Sequence, residues 1–239
     1  MKSLLIALLL SLMVAGPVEA KAHLHSTKVQ VHKKTKTYVD SVPPRTVTAA
    51  IKRASRATGV NTNVLAGYAS LESSFKSKAN NPKGAKGLVQ ITPKTFRYLA
   101  RTYGPDHGIT KANPFNPYHS AVLAAEYIKE NRQILRDGLG REPTDEECYL
   151  AYFISPQKAV SVIQAPPKRD AVRMLGSVAY GHPKYFFTKR KHNTVSQFRT
   201  AVYRDFRKHV AIGEVAMRGP IVEKPYVIAD LMKPHPYVQ

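Results

Sequence analysis

Cysteine occurs once in the 239 residues, at Cys148. A single thiol excludes an internal disulfide framework and any zinc site built on several cysteines. Acids are scarce: 16 Asp and Glu stand against 37 Lys and Arg, a formal charge of +21. That excess points to an anionic partner and carries no information about fold. Apolar runs are confined to one short stretch near the amino end, and no other segment approaches the roughly 20 residues a membrane span needs. Zinc-finger spacing, a basic heptad array, a glycine-rich phosphate loop and internal repeats are also missing. What is present is globular in kind: 43% apolar residues rule out wholesale disorder, and the length suits one or two domains.

The apolar run, Leu4 to Val14, follows Met1-Lys2 and precedes Gly16-Pro17 and Val18-Glu19-Ala20. A positive start, a short apolar core and small residues before a cleavage point predict a secretory signal peptide over residues 1–20. No cysteine follows it, which excludes a lipoprotein-type anchor. The mature chain is expected to begin near Lys21, to have no stable transmembrane span after cleavage, and to work in the periplasm or outside the cell. The basic excess flanks a nearly balanced centre. Residues 21–60 carry nine Lys and Arg against one acid, residues 61–150 twelve against nine, and residues 165–210 eleven against two. Such flanks suit either a well-solvated surface or a polyanion: nucleic acid, phosphorylated lipid or an anionic wall polymer. Export weighs against nucleic acid.

Residues 21–45 read as a basic, flexible arm ending at Pro43-Pro44. His23, His25 and His32 lie in it at irregular spacing, which argues against a metal site. From Thr46 the pattern is helical. A first helix stops at Gly59, a second runs from Val64 to about Phe75 behind the capping residues Asn61-Thr62-Asn63, and Thr92-Pro93 opens a third to Tyr103. Further helices are predicted over Tyr118 to Arg136 ending at Gly138, from the capping box Thr144/Glu147 to Ser155-Pro156, over Lys158–Gln164, and over Arg169–Ala179. Val195, Phe198, Val202 and Phe206 place one apolar stripe on a last helix. The fold class is mostly α. One domain is expected over residues 46–210, with a motif core at 48–164 and a helical extension at 165–210, followed by a proline-rich irregular tail over 211–239.

Leu65, Tyr68, Glu72 and Phe75 are spaced to share one helix face, and that face is otherwise apolar. Desolvation and the carboxyl end of the helix dipole both favour a neutral Glu72, an acid able to give a proton to a leaving group. Spacing alone equally allows Glu72 at the rim of the stripe, paired with Lys76.

Leu71-Glu72-Ser73-Ser74-Phe75, then Gly84-Ala85-Lys86-Gly87-Leu88-Val89-Gln90-Ile91-Thr92-Pro93, then Tyr149-Leu150-Ala151-Tyr152-Phe153 resemble the three motifs of lytic transglycosylase catalytic domains of the SLT type. Asn113-Pro114-Phe115-Asn116-Pro117 is similar to the family's usual linker. The resemblance implies a lysozyme-like helical domain of the goose type with a small irregular or β-hairpin lobe. It implies Glu72 as the catalytic acid, Ser73 as a residue positioning substrate and carboxylate, Gly87 and Gln90 at the sugar groove, and Tyr152 as the third-motif tyrosine. The implied activity cleaves the N-acetylmuramic acid to N-acetylglucosamine bond of peptidoglycan with 1,6-anhydro ends, without metal or organic cofactor. The implied partners are peptidoglycan glycan strands, with anionic envelope polymers or lipids on the basic flanks. The chain departs from the pattern at Ala151-Tyr152-Phe153-Ile154-Ser155, where most members read Ala-Tyr-Asn-Ala-Gly. This variant is similar to a subgroup associated with phages and secretion machines.

A hydrolase of the same fold, with Asp106 or Glu126 acting on water, and a wall-binding protein without turnover are the alternative readings. Glu126 reads as a solvated surface acid near Lys129 and Glu130. Tyr180, Tyr185, Phe186 and Phe187 read as core or groove wall, Cys148 as buried filler, and His182 and His192 as turn residues without a partner acid.

Overall fold

The structure, a computed structural model, describes residues 43–82 and 84–218. The expected signal peptide, the arm over residues 21–42 with its three histidines, and the tail from residue 219 lie outside the described residues.

Helix α1 (Arg45–Thr58) buries Val47, Ala50, Ile51 and Ala54, a stripe at three- and four-residue spacing, and ends at Gly59 with φ of 77°. Helix α2 (Thr62–Ser73) starts where Asn61 Oδ1 accepts the backbone N–H groups of Asn63 and Val64 at 2.9 and 3.3 Å. Every residue from Val64 to Ser70 is buried, so α2 is a central helix covered on all sides. It stops at two successive left-handed residues, Ser74 and Phe75, whose N–H groups bond Ser70 O and Ala69 O. The burial of Phe75 follows from that turn. It does not share a helical face with Leu65, Tyr68 and Glu72, as spacing suggested.

Residues 76–82 and 84–92 form a small irregular lobe pinned by isolated antiparallel bridges, Asn80 to Lys86 and Lys86 to Ile91. Helices α3 (Pro93–Tyr103), α4 (Pro117–Leu139), α5 (Asp145–Ile154) and α6 (Pro156–Gln164) follow. Thr144 and Glu147 form the expected capping box at the start of α5. Helix α4 passes Gly138 and ends at Gly140, φ 67°. Gly138 serves a different need: a Cβ there would lie 2.7 Å from Val160 Cγ2, so it lets α6 approach α4.

The extension differs from expectation in two places. One helix over residues 169–179 is replaced by α7 (Ala171–Leu175) and α8 (Ser177–Gly181), split at Gly176 with φ of 55°. After α9 (Pro183–Phe186), strands β1 (Phe187–Thr188) and β2 (Lys191–His192) pair antiparallel, Phe187 opposite His192. The last helix, α10 (Val195–Arg218), buries Val195, Phe198, Val202 and Phe206, then continues through 211–218, where an irregular tail was expected. The prolines begin only at Pro220. Before them Ala211, Gly213 and Met217 prolong the buried stripe, and a Cβ at Gly213 would stand 2.8 Å from Ala66 Cβ. Helix α10 therefore lies against α2, while α1 packs on α4. Among the described residues, no helix is long and apolar enough to cross a membrane.

Candidate active site

Glu72 occupies the last turn of α2 and is half-buried. Its Oε1 accepts a hydrogen bond from the Tyr149 hydroxyl of α5 at 3.0 Å. Desolvation raises its pKa from 4.5 to about 7, against the opposing pull of the Tyr149 hydrogen bond and the positive charge of Lys184. The group can thus hold a proton near neutrality and still survive as a carboxylate after giving it up. On the same helix Tyr68 meets Tyr149, Tyr152 and Phe206 edge-on, with ring centroids 5.3, 5.0 and 5.2 Å away. Tyr149 joins this aromatic cluster to the carboxyl that burial desolvates.

The three sequence motifs meet here through backbone-directed hydrogen bonds. The Ser73 hydroxyl lies 2.7 Å from Leu88 O and 3.1 Å from Ala69 O, so its proton ties the end of α2 to the irregular lobe and is not directed at the Glu72 carboxylate. The Tyr152 hydroxyl donates to Val89 O, joining α5 to the same lobe. Gln90, with φ of 49°, donates its side-chain amide to Gly87 O at 2.9 Å and Ala79 O at 3.2 Å. Gly87 has φ of 80° and its N–H bonds Ala79 O at 2.8 Å. A Cβ at Gly87 would fall 1.9 Å from Pro114 O, so only glycine allows the lobe to seat against the segment leading into α4. Ser73, Gly87, Gln90 and Tyr152 are thereby gathered around the end of α2. Each spends a polar group or its backbone freedom on holding the lobe beside Glu72.

Tyr149 is the residue that sequence reasoning did not single out. Its signal was available: it precedes Tyr152 by three positions on one helix, so both hydroxyls leave α5 on one face. Burial and the adjacent Glu72 carboxylate hold its own pKa well above the usual phenol range, so it stays a hydrogen-bond donor.

The other candidate acids are engaged elsewhere or exposed. Glu126 is not a solvated surface acid: it is buried, with His107 Nε2 2.9 Å from Oε1 and Lys129 Nζ 2.8 Å from Oε2. Asp106 is exposed in a single 3-10 turn, Pro105–His107. His192 does have an acid partner, Asp170 Oδ2 at 2.8 Å from Nδ1. Tyr185 and Phe186 are buried, while Tyr180, expected in core or groove wall, is 71% exposed. Cys148 is buried and its thiol is pushed up to about 12 by desolvation, an inert filler. Among the described residues, no group of three or more His, Cys, Asp or Glu is placed to hold a metal ion.

An acid at a helix end, a lobe clamped to it by a serine, a glutamine and a tight glycine, and a tyrosine pair on a third element all lie within residues 49–171, the segment that matches the Transglycosylase SLT domain family model; the chain belongs to this family, whose activity is of the lytic transglycosylase type directed at peptidoglycan.

Proposed function

We propose that this protein is an exported lytic transglycosylase that cleaves the bond between N-acetylmuramic acid and N-acetylglucosamine in peptidoglycan glycan strands and leaves 1,6-anhydro ends. The observation that carries the reading is the desolvated carboxyl of Glu72, held by Tyr149 and poised to exchange a proton near pH 7. A hydrolase generally needs a second carboxylate as nucleophile or base; of the two candidates, Glu126 is held by His107 and Lys129 and Asp106 is exposed in its 3-10 turn. The nucleophile is then supplied by the sugar.

In this scheme the neutral Glu72 donates its proton to the glycosidic oxygen as the bond to C1 breaks, with the substrate's N-acetyl group assisting departure. Glu72, now a carboxylate stabilised by the Tyr149 hydroxyl, takes the proton of the 6-hydroxyl. That oxygen closes on C1, forming the anhydro ring and restoring the acid. No water is consumed, and the scheme requires no metal or organic cofactor.

Export through residues 1–20 and attachment of the basic flanks to anionic envelope polymers or lipids belong to the same proposal. Removal of residues 21–44 is expected to weaken binding to purified sacculi and flatten its salt dependence, and unchanged binding would remove the arm from the account. The activity is tested by weighing the muropeptides released from sacculi. Products one water lighter than their reducing counterparts support the scheme, reducing ends indicate a hydrolase, and no release indicates a binding protein. Glu72→Gln should abolish release.

A further inference from the structure

The Tyr149 hydroxyl reaches Glu72 Oε1 at 3.0 Å, and Glu72 is the hydrogen-bond partner that this phenol has among the described residues. A phenol oxygen lies on the long axis of its ring. It stays in place when the ring spins about that axis and moves when the axis tilts, so its position is set by what the ring lies against. Phe206 of α10 lies flat on it, with centroids 4.8 Å apart and planes at 6°. Phe153, one turn further along α5, is also parallel to it, at 6.3 Å and 8°, and Tyr68 meets it edge-on at 5.3 Å. Tyr68, Tyr149 and Phe153 belong to the family-matched residues, whereas Phe206 lies beyond them.

The neighbours of Phe206 seat α10 at this point. Asp205 Oδ2 accepts the Tyr185 hydroxyl at 2.7 Å and Lys184 Nζ at 2.9 Å, both from α9. His209 Nδ1 lies 2.8 Å from the hydroxyl of Ser70, which stands two residues before Glu72 on α2. Asp205, Phe206 and His209 thus engage α9, α5 and α2 in turn, and Phe206 is fully enclosed between them. Filling that space would take only an apolar side chain of about the right volume. A flat face parallel to the Tyr149 ring does more, because the tyrosine cannot tilt towards α10 without overlapping it.

We propose that Phe206 is a positioning residue for the reaction: its ring holds the Tyr149 phenol in line with the Glu72 carboxyl, so that the last helix completes the active site of the family-matched domain. The proposal rests on the reading of Glu72 as the acid. Phe206 touches no reacting atom and acts through Tyr149.

The test follows kcat and KM on soluble peptidoglycan strands across pH, below the Tm of every variant, for the full chain and for Phe206→Leu, Phe206→Met, Tyr149→Phe and the double variant Tyr149→Phe/Phe206→Leu. Phe198→Leu is the control for lost core volume: Phe198 is buried on the same helix but stacks on Phe186, at 4.4 Å. Phe206→Leu should lower kcat about tenfold with KM within about twofold, and should move the alkaline limb up as Tyr149→Phe does, because both loosen a hydrogen bond that favours the Glu72 carboxylate. Phe206→Met, which leaves less of the space empty, carries the same readout if the leucine variant does not fold. Adding Phe206→Leu to Tyr149→Phe should change neither kcat nor the limb further. Phe198→Leu should lower Tm and keep the wild-type kcat and limb. A wild-type kcat and limb in the folded Phe206 variants, an additive loss in the double variant, or the same limb shift in Phe198→Leu would overturn the proposal. Release by Glu72→Gln would overturn the acid reading and this proposal with it, whereas an inactive Glu72→Gln beside wild-type Phe206 variants overturns the role of Phe206 alone.

Discussion

Replacing Glu72 by glutamine should make the protein more stable at alkaline pH and leave it nearly unchanged in acid. The carboxyl titrates at 4.5 when solvated and at about 7 in the fold, the difference arising chiefly from desolvation. Between those values the folded chain keeps a proton that the unfolded chain releases. Stability contributed at this position is therefore full below pH 4.5, falls as pH rises through the window, and reaches its full loss above about 7. Converting the difference at 1.36 kcal/mol per pH unit gives a cost of about 3 kcal/mol above pH 7. Glutamine keeps the shape and still accepts from the Tyr149 hydroxyl, but it has no charge to desolvate. Thermal unfolding of the two proteins should give similar Tm at pH 4 and a Glu72→Gln advantage of roughly 6–12 °C at pH 8.5. A gap that is the same at both pH values, or a glutamine variant less stable at pH 8.5, would show that the Glu72 carboxyl is not desolvated in the fold. A gain in stability with a loss of turnover is the mark of a group held in an unfavourable environment for its chemistry.

Tyr149→Phe removes the hydrogen bond that favours the Glu72 carboxylate, so the alkaline limb of the kcat profile should move up and kcat should drop roughly 10- to 100-fold; an unmoved limb would detach Tyr149 from the acid. Gly87→Ala places a Cβ against Pro114 O at a left-handed position and should cost about 3 kcal/mol or more, read as a lowered denaturation midpoint or insoluble protein, whereas a wild-type midpoint would show that the lobe can shift freely.

What could be read from the sequence was local chemistry. Asn61, Thr92-Pro93 and the Thr144/Glu147 box start helices through contacts within four residues, and each does so in the fold. The acid on α2 stood out on an apolar face, but spacing also allowed a rim position paired with Lys76, and the resemblance of the three motifs chose between them. What was hidden depends on partners distant in sequence. Gly138 looked like a helix stop until Val160 came up against it, and Glu126 looked solvated until His107 and Lys129 closed over it. The last eight residues of α10 are helical because α2 lies beneath them, not because their own pattern demands it. Tyr149 and Tyr152 were indistinguishable by type, and only the placement of α5 sends one hydroxyl to Glu72 and the other to Val89 O.

In the proposed reaction a sugar hydroxyl, and not water, takes the place of the departing sugar. Digestion of sacculi in water enriched in heavy oxygen measures this directly. Muramic ends carrying no heavy oxygen, and the mass of an internal anhydride, are the result predicted; label incorporated at C1 of those ends would contradict the account.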